Sequence, residues 1–271
     1  MRQSWVLCDC AGLQLTSILL RSILGHPKQW IYAVIMRIHQ ITDLHIPDGE
    51  MTNGQTKSNV LKLLSFVRED NSDLLVISGD LTMTDGSVQA NEWLNSVLPE
   101  APQTIIMPGN HDKPSVLWEV FGPKKCINHD FYFALDIDAY KLLFVDTSSY
   151  SLPDDQIEFI KREAANQASL LFIHHPPDII NPVGFMGINH ALENAEQVSK
   201  VIKESKIKHV FCGHYHNAID KRCDGFYLHL TPSPAFQIDL DSEEFHLQPF
   251  EPGVRIIDIE QSSVTSHIVY V

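Results

Sequence analysis

The chain carries none of the features that mark a membrane span, a repeat array or a disulfide scaffold. Apolar stretches in its first 35 residues are interrupted by Arg21, His26 and Lys28. None reaches the roughly 18 to 20 residues of a membrane-crossing helix. Low-complexity tracts, internal repeats and proline- or glycine-rich linkers are absent. Cysteine is scarce: Cys8, Cys10, Cys126, Cys212 and Cys223 form an odd set without zinc-ribbon spacing. That usage fits a reduced, cytoplasmic chain. Positive charge is also in short supply, with 20 Lys and Arg against 34 Asp and Glu and a formal net charge of -14. Such a surface argues against a nucleic-acid duplex, whose phosphates must be neutralised at many contacts. A small phosphate ester stays open, because bound divalent cations reverse the local sign.

What is present suits a globular protein. An apolar fraction of 44% over 271 residues supports a sizeable core, and without a linker the expectation is one domain over 36–271. Residues 1–35 read as an extension, either non-native with Met36 as the natural start or carrying an accessory amphipathic helix around 13–24. Asp9 falls where a signal peptide would be uniformly apolar, and no clear small-x-small cleavage site follows.

From residue 37 onward, short apolar runs alternate with helical periodicity. Helices are expected around Val60, Leu61, Leu63, Leu64 and Val67, over 87–97, over 154–165 and over 191–204. Ten strands are expected, at 37–42, 74–78, 104–107, 131–136, 141–145, 169–173, 208–212, 226–231, 254–259 and 264–270. Alternation in the first half favours parallel pairing through crossovers, and the strand-rich second half favours mixed pairing. The resulting expectation is an α/β fold with two packed sheets and helices outside. A homodimer is open.

Chemistry concentrates where the apolar runs end. Asp43 and His45 follow the first run, Asp80 the second, and Asn110 and His111 the third. His174 closes Leu170–Ile173, and His214 and His216 follow the run ending in Cys212-Gly213. Carboxylate and imidazole donors without thiolates suit Mn²⁺, Fe²⁺ or Zn²⁺. Asp43-x-His45 and His214-x-His216 are expected to place paired side chains on one side of an extended segment. Asp80 can bridge two ions, and Asn110 adds a neutral oxygen. His111 lies beside a ligand without needing to be one, so it is the candidate general acid, oriented by Asp85 or Asp146. Of the adjacent pair His174 and His175, His174 is favoured as the ligand. A lone histidine after a strand is more often a surface or capping residue. That reading is given to His26, His129, His209, His229, His246 and His267, and Cys212 is read as core. Five separate elements each delivering a ligand at a strand end make coincidence a poor account.

These motifs resemble the calcineurin-like metallophosphoesterase superfamily: Asp43-x-His45, Gly79-Asp80, Gly109-Asn110-His111-Asp112, His174 and Gly213-His214-x-His216. Within it the chain is similar to the bacterial class III cyclic-AMP phosphodiesterases, through Ile41–His45, Gly79-Asp80-Leu81-Thr82, Pro108–Asp112 and His174-His175-Pro176-Pro177. The likeness continues through Leu192-Glu193-Asn194, Thr231-Pro232-Ser233, Phe236-Gln237 and Pro252–Arg255. It implies a four-layer α/β/β/α metallophosphoesterase sandwich with two mixed sheets. One ion would be held by Asp43, His45, Asp80 and His216, and a second by Asp80, Asn110, His174 and His214. The implied ions are two divalent metals, Fe²⁺ and/or Mn²⁺, with a metal-bridging hydroxide as nucleophile. Asn110 and His111 would touch the phosphate, with His45 and His216 also beside the substrate. The implied reaction is hydrolysis of a small-molecule cyclic nucleotide, 3′,5′-cyclic AMP, to 5′-AMP. A broader phosphodiesterase acting on glycerophosphodiesters, 2′,3′-cyclic nucleotides or aryl esters is the alternative. The chain departs from the family where a Trp and an Asp usually precede Leu-x-Asn, reading Phe185-Met186-Gly187 instead. It departs again with Pro232-Ser233-Pro234-Ala235 in place of Pro-Ser-Thr-Cys. Both stretches are expected at the border of the nucleoside pocket.

Overall fold

The computed structural model describes residues 36–49 and 55–271, so the reading of 1–35 lies outside the described residues. In chain order the elements are β1 (Met36–Ile41), α1 (Gln55–Glu69), β2 (Leu74–Ser78), α2 (Val88–Val97), β3 (Gln103–Met107), α3 (Pro114–Phe121), α4 (Pro123–Cys126), β4 (Phe133–Ile137), β5 (Tyr140–Phe144) and α5 (Asp154–Glu163). They continue with β6 (Ala168–Phe172), α6 (Phe185–Asn189), α7 (Ala195–Glu204), β7 (Ile207–Cys212), β8 (Ile219–Arg222), β9 (Tyr227–Leu230), β10 (Gln237–Ile238), β11 (Leu247–Gln248), β12 (Gly253–Ile259) and β13 (Val264–Tyr270).

Two mixed sheets form the centre. The first runs β13-β12-β1-β2-β3 and the second β4-β5-β6-β7-β9-β8. In the first, β1, β2 and β3 are parallel, and β12 joins β1 antiparallel. In the second, β5, β6, β7 and β9 are parallel, with β4 and β8 antiparallel at the edges. All ten expected strands are present. The edge strand β8 and the short hairpin β10–β11 are additional.

Why the apolar runs are continuous is clear from the layers, since a strand covered on both faces has no solvated side. Leu75, Ile77 and Ile106 pack outward against Val60, Leu63 and Leu64 of α1, Leu94 of α2 and Leu117 of α3. Leu143, Leu171 and Val210 pack outward against Ile157 and Ile160 of α5 and Val198 and Ile202 of α7. The alternate residues Ile38, Leu74, Val76 and Ile105 meet Leu142, Leu170 and Phe211 between the sheets. There Phe133, Phe144, Phe172 and Phe211 stack in succession at centroid distances of 4.6, 5.0 and 5.2 Å. The order is therefore helix, sheet, sheet, helix, as the resemblance implied.

Three details differ from expectation. Leu61, grouped with Val60, Leu63, Leu64 and Val67 at helical spacing, is unlike them 43% exposed on the outer side of α1. Helix α7 begins at Ala195 rather than 191, because the Asn194 side chain accepts from Leu152 N at 3.0 Å and donates to Leu152 O at 2.8 Å. That amide locks 191–194 as a loop. Helix α3, with Pro114 in its first turn, was hidden in a run too short to separate helix from strand.

Candidate metal centre

Parallel strands β1, β2 and β3 end on one edge of the first sheet, and β6 and β7 end on the facing edge of the second. The loops that follow carry Asp43, His45, Asp80, Asn110 and His111 on one side and His174, His214 and His216 on the other. This is where an open α/β sheet places its ligands, outside the carboxyl ends of its strands. The first two loops are zipped together by Asp43 N donating to Gly79 O at 2.9 Å and His45 N to Asp80 O at 3.0 Å.

The backbone at these positions is special. Asp43, His45, Asp80, His214 and His216 all have positive φ, between 40° and 68°. This corrects the expectation that Asp43-x-His45 and His214-x-His216 point one way through strand alternation. The side chains converge because each residue adopts the left-handed conformation, which costs a non-glycine residue on the order of 1–3 kcal/mol. Glycine at 213 is required by space: a Cβ there would lie 2.5 Å from Asp43 Oδ2.

Six of the seven expected ligand side chains gather here in two groups, and Asn110 lines the cavity beside them. Asp43, His45, Asp80 and His216 offer donor atoms within 4.8 Å of one another, and all four are buried. His174 and His214 gather likewise, joined by His175. Asp80 links the two groups, its Oδ2 lying 3.6 Å from His45 Nε2 and 3.4 Å from His174 Nε2. His216 Nε2 lies 3.4 Å from Asp43 Oδ1 and 3.1 Å from His45 Nε2. Metal–ligand bonds of roughly 2.0–2.2 Å place neighbouring donors about 3.0–3.6 Å apart, so these separations match the edges of coordination polyhedra.

Tautomers support the same reading. A carbonyl can only accept, so His174 Nδ1 donates to Ser78 O at 2.8 Å, His214 Nε2 to His190 O at 2.7 Å and His216 Nδ1 to Phe236 O at 3.0 Å. Each imidazole thereby turns its lone pair toward the cluster, the arrangement that orients metal-bound histidine. Buried His174 Nε2 and Asn110 Oδ1 have no hydrogen-bond partner. Orphaned acceptors of this kind are what a cation would satisfy.

Electrostatics reflect the packing of charge into a dry site. Burial raises Asp43 to about 7 against the opposing pull of His174, and lowers His214 to about 3 and His216 to about 4. Burial works against the Asp80 carboxylate, but His174, His45 and His111 around it hold it well below the usual range. His214 and His216 are thus held neutral, the form that binds metal, whereas His174, despite burial, is raised to about 9 by Asp80 and Asp43. Asp112, buried behind the loop, accepts from Leu81 N at 3.1 Å and Gly109 N at 2.9 Å, fixing the second and third loops together.

His111 is partly exposed and stands at the mouth. Its backbone N–H donates to Asp80 Oδ1 at 2.9 Å, and its ring Nδ1 pairs with Asp85 Oδ1 at 2.9 Å. Of the two candidates, Asp85 therefore holds the ring. Asp146 instead caps Ser148 N at 2.7 Å.

Several contributors escaped sequence reasoning. His175 does not point away from His174: both lie past the end of β6, and its ring packs 4.2 Å from that of His214. Its Nδ1 meets Thr147 Oγ1 at 2.9 Å. His229 is buried rather than a surface residue and His209 is half-buried, with His209 Nδ1 and His229 Nε2 forming a 3.0 Å pair within the second sheet. Cys212 is fully buried core. Beside the cluster lies a cavity of about 280 Å³, lined also by Tyr150, Phe185, His190, Phe236 and Phe245. Only Phe185 and Phe236 of these carried any sequence signal.

Solved structures share the architecture. A dimetal phosphatase from Danio rerio aligns with TM-score 0.59 at 13% identity, covering 88% of this chain and 99% of that one. A purple acid phosphatase from yellow lupin aligns with TM-score 0.61 at 13% identity, covering 87% and 51%. Among relatives in sequence, a probable cyclic nucleotide phosphodiesterase of Fibrobacter succinogenes is 29% identical over 243 residues, 87% of this chain and 94% of its own. The 3′,5′-cyclic adenosine monophosphate phosphodiesterase CpdA of Escherichia coli K12 is 25% identical over 239 residues, 83% and 85%. Residues 36–218 match the family described as calcineurin-like phosphoesterase. With its signature donors gathered at one edge of a two-sheet sandwich and that match spanning most of its length, the chain belongs to the calcineurin-like phosphoesterase family.

Proposed function

We propose that the protein is a binuclear metal-dependent phosphodiesterase that hydrolyses 3′,5′-cyclic AMP to 5′-AMP in the cytoplasm, with its activity in residues 36–271. The observation that carries this is the convergence of buried carboxylates and imidazoles on shared Asp80, with their far nitrogens tied to carbonyls. The names of the relatives support the cyclic-nucleotide part, and free thiols at Cys126, Cys212 and Cys223 suit a reducing compartment.

Asp43, His45, Asp80 and His216 would hold one cation, and Asp80, Asn110, His174 and His214 the other. Two divalent ions, Fe²⁺ and/or Mn²⁺, would supply the charge that clamps a phosphate and lower the pKa of the water that serves as nucleophile. The chain's own part is positioning and proton delivery. As the water oxygen bonds to phosphorus and the phosphorus–O3′ bond breaks, the His111 imidazolium donates its proton to O3′. Asp85, accepting from Nδ1, leaves Nε2 as the nitrogen facing substrate. Exposure of the ring allows reprotonation from solvent. Asn110, His45 and His216 border the bound phosphate.

The test is a substrate panel on Mn²⁺-loaded protein, comparing cyclic AMP, a 2′,3′-cyclic nucleotide, a glycerophosphodiester and bis(p-nitrophenyl) phosphate. Cyclic AMP turnover far below that of the aryl diester would replace this reading with the broader phosphodiesterase.

A further inference from the structure

The cavity beside the donors has two unlike walls. One is made of the polar cluster, and the other of Tyr150, Phe185, His190, Phe236 and Phe245. Among the described residues, Asp80 is the sole carboxylate lining it, and no Lys or Arg does. Phe236 packs against the His216 ring at 4.4 Å and the His45 ring at 5.2 Å, so the aromatic wall starts at the metal ligands themselves. It continues to the rim through Phe245, which meets Phe236 at 6.5 Å and Phe185 at 5.6 Å. Phe245 is 54% exposed, so a large apolar ring is held open to water at the mouth of a polar site.

The ring is held there by built structure. Phe245 lies in the loop of the β10–β11 hairpin, closed by Asp239 N donating to His246 O at 2.8 Å. Phe185 N donates to Ser242 O at 2.7 Å, tying α6 to the same loop. Asn217, next to His216, donates to Ile238 O at 2.9 Å and accepts from Gln248 Nε2 at 2.8 Å. The hairpin is thereby fastened to the loop that delivers His216.

We propose that Phe185, Phe236 and Phe245 form a stacking slot for the base of the substrate, selecting an aromatic group without reading its edge. This deepens the proposed function and rests on it. Faces of all bases stack alike on aromatic rings, whereas strong discrimination needs buried donors and acceptors matched to one edge. No charged side chain other than Asp80 borders the slot, and the His190 carbonyl is already engaged by His214. The three phenylalanine rings offer a base edge no donor or acceptor, so the slot itself treats adenine and guanine about equally.

The experiment titrates adenosine, guanosine and ribose into Mn²⁺-loaded protein by calorimetry, with Phe245→Ala and Phe245→Trp beside the wild type. Because Phe245 is exposed, both variants are expected to fold, which circular dichroism checks. Expected are adenosine and guanosine affinities within about tenfold of each other and no detectable ribose binding. Phe245→Ala weakens both nucleosides by roughly 5- to 150-fold, and Phe245→Trp restores binding. Absent nucleoside binding, a preference for one base above about a hundredfold, or unchanged affinity in Phe245→Ala overturns the slot. If nucleosides bind as stated but no phosphodiester is hydrolysed, the slot stands and the proposed function falls. If cyclic AMP is hydrolysed with the same KM in Phe245→Ala, the slot alone falls.

Discussion

Ser78 O accepts the Nδ1 proton of His174 at 2.8 Å, a bond that crosses from the end of one sheet to the end of the other. Behind it runs a buried chain: Gln40 Nε2 donates to Ser78 Oγ at 2.8 Å, Thr231 Oγ1 to Gln40 Oε1 at 2.8 Å, and Arg255 Nε to Thr231 Oγ1 at 3.1 Å. Arg255 is fully buried and also donates to Leu230 O at 2.7 Å. Replacing Arg255 with Met keeps the bulk and removes the donors. Stability is expected to fall by about 2–3 kcal/mol, read as a lower urea midpoint with unchanged slope.

His111 and Asp85 should separate by magnitude. His111→Ala is expected to lower kcat by roughly 10²- to 10⁴-fold with bound metal, measured by elemental analysis, at the wild-type level. Asp85→Asn should cost less, about tenfold, because its exposed carboxylate pairs with the ring in a screened setting. Full activity in His111→Ala would remove His111 as proton donor.

Asp80 serves both donor groups, so Asp80→Ala should empty both positions, whereas Asn110→Ala should affect one. Metal per chain is the readout. In the wild type, Mn²⁺ at a hundred times its dissociation constant is expected to add about 2.7 kcal/mol of stability. A melting temperature indifferent to added Mn²⁺ and to chelator would contradict a built metal centre.

Acid sensitivity should trace in part to the second sheet. Burial, with His229 nearby, lowers His209 to about 4 from 6.5, and burial lowers His229 too, although Asp220 accepts from its Nδ1. Between about pH 6.5 and 4 the unfolded chain thus binds more protons than the folded one. The contribution of this pair is complete above that window and is lost as pH falls through it. His209→Gln should flatten this part of a stability–pH profile relative to wild type. Parallel profiles would show that the pair is irrelevant to acid unfolding.

The candidate donors could be picked out in the sequence because each residue follows a run whose burial on both faces forces continuous apolar composition. Leu74–Ser78 announces a covered strand, and Gly79-Asp80 announces its exit. The geometry was less so. Strand alternation was a sound local rule for Asp43 and His45, but it fails where φ turns positive, a choice imposed by pairing with Gly79 and Asp80 across the sheet. The same rule set His174 above His175 beyond the strand's end, where both rings gather beside His214. The β10–β11 hairpin gave no periodic signal, because four paired residues are too few to show one and its anchors, Asn217 and Phe185, are distant in sequence. His209 and His229 pair through neighbouring strands, a contact no single-sequence spacing reveals.

Donors hang from both halves of the sandwich: Asp43, Asp80 and Asn110 from the first sheet, His174, His214 and His216 from the second. Cations seated among them would rivet the two sheets at their open end. Stripping them would free that seam to breathe, with amide exchange quickening first in the loops at 43–46 and 213–217 while the phenylalanine stack at the centre stays closed.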